Sequence, residues 1–283
     1  MKIHQIIKLI LKKYAKNKKN KIKEIIKIIE IGINKTFDKW KQEEEIEKKL
    51  IDTIDKISKM VLNYNFPIQY FQTFVEFGCS RRCLKLYINP YTLIPRIETE
   101  ILVEKAFQRI MKLGIIKKYE DILIIDFGTG SGNIALYLTK LLNNNKIKTI
   151  GTDISFNALK VAQKNSIINN IEIFLLNSQN LNMIKKSKNT FLILLSNPPY
   201  LTKKEMRKEL YFEPEYALLT IRKTFFYQNL INFSIENKPS ISFFEIDKKS
   251  FEKLLPFLLK NQLKYSISPL QKSIYMLEIF NIK

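Results

Sequence analysis

The stretch ILIIDFGTGSGNIALYL, residues 122–138, decides the fold. Ile122 to Asp126 read as a buried strand, glycines follow at 128, 130 and 132, and residues 132–142 have the apolar spacing of a helix. Downstream, TIGTD (149–153) precedes a helix over 155–168, and IEIFLL (171–176) and FLILLS (191–196) read as further strands. A helix near 223–236, strand ISFFEI (241–246), a helix over 249–260 and strands near 264–268 and 273–280 complete the series. Continuous apolar strands between helices predict a mostly parallel sheet of seven strands covered on both faces, an α/β fold. The last two strands have no helix between them, so one of the pair should run antiparallel.

Upstream the pattern changes. Residues 1–66 carry Ile, Leu and Lys at mixed three- and four-residue spacings, which predicts a small domain of amphipathic helices closed by the break Asn63-Tyr64-Asn65-Phe66-Pro67. The run KYAKNKKNKIK, 13–23, reads as a solvated face or turn. Residues 67–97 alternate loosely, hold several aromatics and are punctuated by Gly78 and Asn89-Pro90, which predicts a β-hairpin joining the helical domain to an α/β domain over 98–283.

Composition narrows the class. With 46% hydrophobic residues over 283 positions the chain can bury a core, and disorder is excluded as its main state. No stretch reaches the ~18 uncharged apolar residues of a membrane span, and the N-terminal run shows no small-residue cleavage site, so no membrane partner and a cytoplasmic location are expected. Cys79, Cys83 and His4 are too few for a thiol or imidazole metal site, so no metal is expected. The net charge of +21 comes from 42 lysines and only six arginines beside 27 acids. Lysine is a poor bidentate reader of bases, and its excess beside Ile and Asn is what AT-rich codons produce, so nucleic acid is not the expected substrate. A polyanionic partner is the functional alternative for that charge.

Two segments carry the chemistry. In Asp126-Phe127-Gly128-Thr129-Gly130-Ser131-Gly132 the glycines let the backbone approach a ligand, and the helix behind them favours a carboxylate at its N-terminus. The third glycine falls one residue earlier than a dinucleotide fingerprint requires, and Asp126 is placed to take an amino group. Asp153, 21 residues after Gly132, ends the second strand where an acid holds ribose hydroxyls. A nucleoside bearing both an amine and a carboxylate, S-adenosyl-L-methionine, fits these groups. Tight-turn glycines and a capping Asp in an unrelated α/β domain are the plainer alternative. The second segment, Ser196-Asn197-Pro198-Pro199-Tyr200, closes a central strand, with Asn197 65 residues after Gly132. Its prolines fix the backbone so that the Asn197 side chain and the Pro198 carbonyl can both accept from one amine, with Tyr200 as a stacking face. Alone it would pass for a rigid surface turn.

Taken with the surrounding residues, the chain resembles the HemK/PrmC-type protein-glutamine methyltransferases, within the class I S-adenosylmethionine-dependent, Rossmann-like fold. Asn-Pro-Pro-Tyr is shared with adenine methyltransferases. The finer likeness lies in Phe66-Pro67-Ile68-Gln69-Tyr70, in LIPRIETE (93–100), similar to the family's LIPRPETE, and in Phe212-Glu213-Pro214 with Ala217-Leu218. It spans about 66–246, whereas the N-terminal 65 residues match only in being helical. Departures are Ile97 for the family's second proline, Tyr211 for an arginine, Gln179-Asn180 where an acid and an aromatic are usual beside the adenine, and Glu245-Ile246-Asp247 for E-x-G.

The resemblance implies methylation of the glutamine amide in the Gly-Gly-Gln motif of class I peptide chain release factors. Asn197, Pro198 and Tyr200 would be catalytic, and Pro199 would line the substrate site with them. Asp126, Gly128, Thr129, Gly130, Ser131, Gly132, Asp153, Gln179, Asn180 and Asn197 would hold the cofactor. The helical domain and hairpin would grip the release factor, and a monomer is expected. The rivals are a glutamine methyltransferase for a large-subunit ribosomal protein, an adenine-specific nucleic-acid methyltransferase and a binding module without activity. Only 83 residues follow Tyr200, too few to finish the sheet and add a large base-recognition domain.

Overall fold

The structure is a computed structural model and describes residues 1–15, 21–34, 46–78 and 82–281. Cys79 and the middle of the 13–23 lysine run lie outside the described residues. Among the described residues no helix is long and apolar enough to cross a membrane. The chain divides into two compact units, residues 1–73 with 207–212, and residues 74–206 with 213–283.

The first unit is helical. Its helices α1 (Ile3–Tyr14), α2 (Ile22–Ile33) and α3 (Lys48–Ser58) bury one apolar stripe each. Ile6 and Ile10, Ile25, Ile28 and Ile29, and Ile54 and Ile57 meet in a common core, because three- and four-residue spacings return a side chain to the same face. Asn34 ends α2 in the left-handed conformation, a stop that asparagine tolerates. A π-turn over Lys59–Asn63 and Asn65 at φ +56° mark the break expected there. Residues Ile68–Phe71, expected to begin the hairpin, instead form a 3-10 turn in this unit, where Phe66 packs against the rings of Tyr70, Phe71 and Phe212.

The second unit begins with a short antiparallel pair, β1 (Val75–Phe77) and β2 (Leu84–Leu86), so the hairpin is much narrower than 67–97. Helices α4 (Ile97–Leu113) and α5 (Ile115–Lys118) lead into β3 (Ile122–Phe127), α6 (Asn133–Leu142), β4 (Ile147–Asp153), α7 (Phe156–Asn169), β5 (Phe174–Asn177) and β6 (Phe191–Ser196). After them come α8 (Glu215–Leu218), α9 (Phe225–Glu236), β7 (Ser240–Asp247), α10 (Lys248–Lys260), β8 (Lys264–Gln271) and β9 (Ile274–Asn281). The seven-stranded sheet has the order β5-β4-β3-β6-β7-β9-β8. All pairings are parallel except those of β9, the antiparallel strand of the last pair. Every residue of β6 is buried, as continuous apolar strands require when helices cover both faces.

The strand order puts a crevice next to β3. From β3 the chain moves outward through β4 to β5, then returns to place β6 on the other side of β3. The carboxyl ends of β3 and β6 therefore flank a topological switch point, where open α/β sheets bind ligands. Both sequence segments singled out for their chemistry end there.

Candidate active site

On one side of the crevice stands the glycine turn between β3 and α6. Gly128 and Gly130 have φ of +71° and +54°, and a Cβ added to either would meet nothing within 4 Å. Glycine thus serves a backbone conformation that side chains resist and leaves the turn open to a ligand. Asp153 at the end of β4 accepts from the Gly130 N–H at 2.9 Å and the Ser155 N–H at 2.8 Å. Burial raises its carboxyl above the usual range, opposed by those N–H donors, which favour the charged form. Behind the turn, buried Asn165 on α7 donates to the carbonyls of Ser131 and Tyr87 and accepts from the Tyr87 N–H. This brace joins α7 to the segment after β2, and nothing in the local sequence announces it.

Asp126 lies beneath the turn. It is fully buried and does not line the cavity; its Oδ2 accepts from the Thr129 hydroxyl at 2.6 Å and the Ala135 N–H at 3.1 Å. Its Oδ1 has no partner among the described residues, and burial lifts the carboxyl to about 7, with the charge of Asp153 adding to the rise. Here the residue expected to take an amino group holds Thr129 and the first turn of α6.

Facing this turn is the end of β6. The Ser196 hydroxyl donates to the Phe127 carbonyl at 2.7 Å, tying the two strand ends together. Asn197 lines the cavity, and its Nδ2 donates to Thr99 Oγ1 at 2.9 Å. Thr99, near the start of α4, donates in turn to Glu245 Oε2 at 2.7 Å, and Tyr200 donates to Glu245 Oε1 at 3.3 Å. Glu245 is buried in β7, and burial pushes its carboxyl up to about 7. Burial also raises the Tyr200 phenol, helped by the charge of Glu245.

A cavity of about 410 Å³ spans both sides. Its lining brings together Gly128, Thr129, Gly130, Ser131 and Asp153 with Gln179, Asn197 and Pro199. Asp126, Gly132, Pro198 and Tyr200 stand outside that lining, and Asn180 lines an adjoining cavity that it shares with Gln179. The rim comes from two segments distant in sequence. Arg96 forms an ion pair with buried Glu213, whose other oxygen accepts from the Ile94 N–H at 2.9 Å. Tyr216 donates to the Tyr91 carbonyl at 2.7 Å, and 3.0 Å separates its hydroxyl from that of Ser155. Tyr91, Thr92, Phe225 and Phe226 also line the cavity. Tyr91, Phe225 and Phe226 escape sequence reasoning because an aromatic at a helix start or in a loop reads the same whether it packs a core or a site.

Residues 110–213 match the family described as the methyltransferase small domain. A release factor glutamine methyltransferase of Flavobacterium psychrophilum is 35% identical over 217 residues, which cover 74% of this chain and 72% of that protein. One of the same name from Mycoplasma mycoides is 29% identical over 257 residues, covering 86% and 85%. Among solved structures, the hMettl16 catalytic domain in complex with MAT2A 3′UTR hairpin 1 superposes with a TM-score of 0.54 at 15% identity, covering 83% of this chain and 81% of that one. That is a likeness of fold, the class I methyltransferase fold.

Proposed function

The chain belongs to the release factor glutamine methyltransferase family, and on that premise we propose that it methylates the side-chain amide nitrogen of the glutamine in the Gly-Gly-Gln motif of class I peptide chain release factors, using S-adenosyl-L-methionine. The observation that carries the proposal is one cavity lined by the glycine turn and Asp153 on one side and Asn197 on the other. The residues fit the cofactor. Gly128 and Gly130 leave a backbone cradle that a Cβ would enter, and Asp153 brings an anionic acceptor for ribose hydroxyls to the wall beside it. Gln179 lines the same cavity and would offer the base an amide where the family usually has a carboxylate.

An amide nitrogen is a weak nucleophile because its lone pair is delocalised into the carbonyl. Asn197 Oδ1 and the Pro198 carbonyl would accept the two amide hydrogens and hold the nitrogen pyramidal, with its lone pair toward the methyl group. When bound, S-adenosyl-L-methionine supplies a sulfonium methyl, an electrophile that needs no acid to activate it. The surplus proton leaves the nitrogen after transfer, so no base need remove it beforehand. The rim residues Arg96, Glu213 and Tyr216 would exclude water and limit entry to a narrow side chain. The helical unit would recognise the rest of the release factor.

The test is incubation of the chain with methyl-labelled S-adenosyl-L-methionine and, separately, a purified release factor, a large-subunit ribosomal protein and DNA. Label on the Gly-Gly-Gln glutamine is expected. Label confined to the ribosomal protein or to adenine would overturn the assignment.

A further inference from the structure

Thr99 stands between Asn197 and Glu245 in a chain of hydrogen bonds whose direction matters. A threonine hydroxyl has one proton to give. With that proton directed to the buried carboxylate of Glu245, Oγ1 can only accept from Asn197, so the asparagine must turn its NH₂ toward Thr99. Its oxygen then has no donor among the described residues, in a side chain that lines the cavity. Reversing the chain would turn the amide over and present N–H to an incoming amide nitrogen, where an acceptor is needed.

We propose that Glu245 is a positioning residue for methyl transfer, acting through Thr99 to hold Asn197 with its oxygen toward the acceptor amide. This rests on the reading of Asn197 as the group that receives the acceptor. Asn197 and Thr99 are 98 positions apart and Thr99 and Glu245 are 146 apart, so the relay ties β6, α4 and β7 into one unit at the crevice. Tyr200 donates to the other oxygen of the same carboxylate, which holds both polar side chains of Asn-Pro-Pro-Tyr to a single anion. Glu98 and Arg96 at the start of α4 are the nearby charges that weigh most on Glu245, in opposite directions. Tyr227 from α9 donates to its main-chain oxygen, and β9 places uncharged Met276 opposite. Burial, which favours the protonated acid, makes the direction of the relay responsive to pH near neutrality.

The experiment compares Glu245→Gln, Thr99→Val and Thr99→Ser with the wild type. Three quantities are read: the transfer rate to release factor, the cofactor affinity by calorimetry, and the side-chain amide resonances of Asn197, assigned by their loss in Asn197→Ala. Glu245→Gln replaces one of the two acceptor oxygens that Thr99 and Tyr200 share with a donor and removes the charge, and Thr99→Val cuts the relay without changing shape. Both are expected to lower kcat by about 10- to 100-fold, with KM for release factor and cofactor affinity within about threefold. Both should also move the Asn197 amide resonances, while Thr99→Ser keeps the hydroxyl and should restore rate and resonances. Unchanged resonances, an unchanged rate in Thr99→Val, or a Thr99→Ser variant as slow as Thr99→Val would each overturn the relay. If Glu245→Gln does not fold, the acid limb of the wild-type pH–rate profile decides in its place: a limb that Thr99→Val flattens supports Glu245, and an identical limb in both overturns it. If the wild type transfers nothing to the release factor while the Asn197 resonances respond as expected, the acceptor assignment falls and the relay stands.

Discussion

Around the glycine turn, the carboxylate that lines the cavity is anchored to main chain: Asp153 accepts from the N–H groups of Gly130 and Ser155. Across the cavity, Asn197 is anchored to other side chains, through Thr99 to Glu245. Both walls belong to one site, yet they are secured differently. Main-chain donors keep their place as long as the strand and turn exist, and they cannot change protonation. The side-chain relay depends on three residues far apart in sequence and on the charge of one buried acid. On the proposed function, the wall that carries Asp153 should therefore reveal itself in cofactor binding and the wall that carries Asn197 in the rate of transfer.

The sharpest way to break this contrast is Asn197→Ala. Loss of the acceptor oxygen is expected to lower transfer by about 10³-fold, comparable to removing a donor from an oxyanion hole, while cofactor affinity stays within a few-fold. Near-normal turnover would remove Asn197 from the reaction.

Next in size is the pH profile. If only the ionised Glu245 sets the relay, transfer falls as pH drops through its raised value of about 7, so at pH 5 the rate should be about one hundredth of its plateau. Thr99→Val should flatten that acid limb. An identical limb in wild type and variant would mean that another group titrates.

On the opposite wall, Asp153→Ala is expected to weaken cofactor binding by about 2 kcal/mol, roughly 30-fold, by removing a charged acceptor for ribose hydroxyls. Saturating cofactor should then recover most of the rate. Calorimetric titration checks the affinity, and an unchanged value would mean the ribose is held elsewhere.

The smallest effect concerns stability beneath the glycine turn. Asp126 is held at about 7 against an ordinary 3.8, so between those values the folded chain keeps a proton that the unfolded chain releases. Its contribution is fully present below the unfolded value and is lost as pH rises through about 7. The Asp126→Asn variant should lose about 1 kcal/mol less stability than wild type between pH 6 and pH 7, measured by denaturant titration. Equal pH dependence in the two would place the perturbed titration on another residue.

Sequence reading and structure agree most closely where structure is local. FLILLS (191–196) is β6 to the residue, and the antiparallel member of the last strand pair follows from the missing helix between them. Residues 67–97 diverge, because an alternating aromatic stretch satisfies a short turn, a three-residue strand and a loop equally well. At the site, both the glycine turn and the end of β6 are visible as punctuation in the chain, whereas the placement of Tyr200 against Glu245 and of Asp126 beneath Thr129 is not. Whether an acid faces a cavity or a helix end depends on which strand lies beside it.

From the sequence alone come the α/β class and the two turns that flank the crevice, since each rests on periodicities and turn residues that act within a few positions. Tertiary structure alone decides which side chains those walls lean on. Thr99 and Glu245 stand in segments whose local patterns require only a helix start and a buried strand. They become partners because parallel β6 and β7 align Ser196 with Phe244, and α4 delivers a hydroxyl to the same end of the sheet. A hydrogen bond between residues 146 positions apart carries no local signature, because its geometry exists only after the sheet has closed the distance.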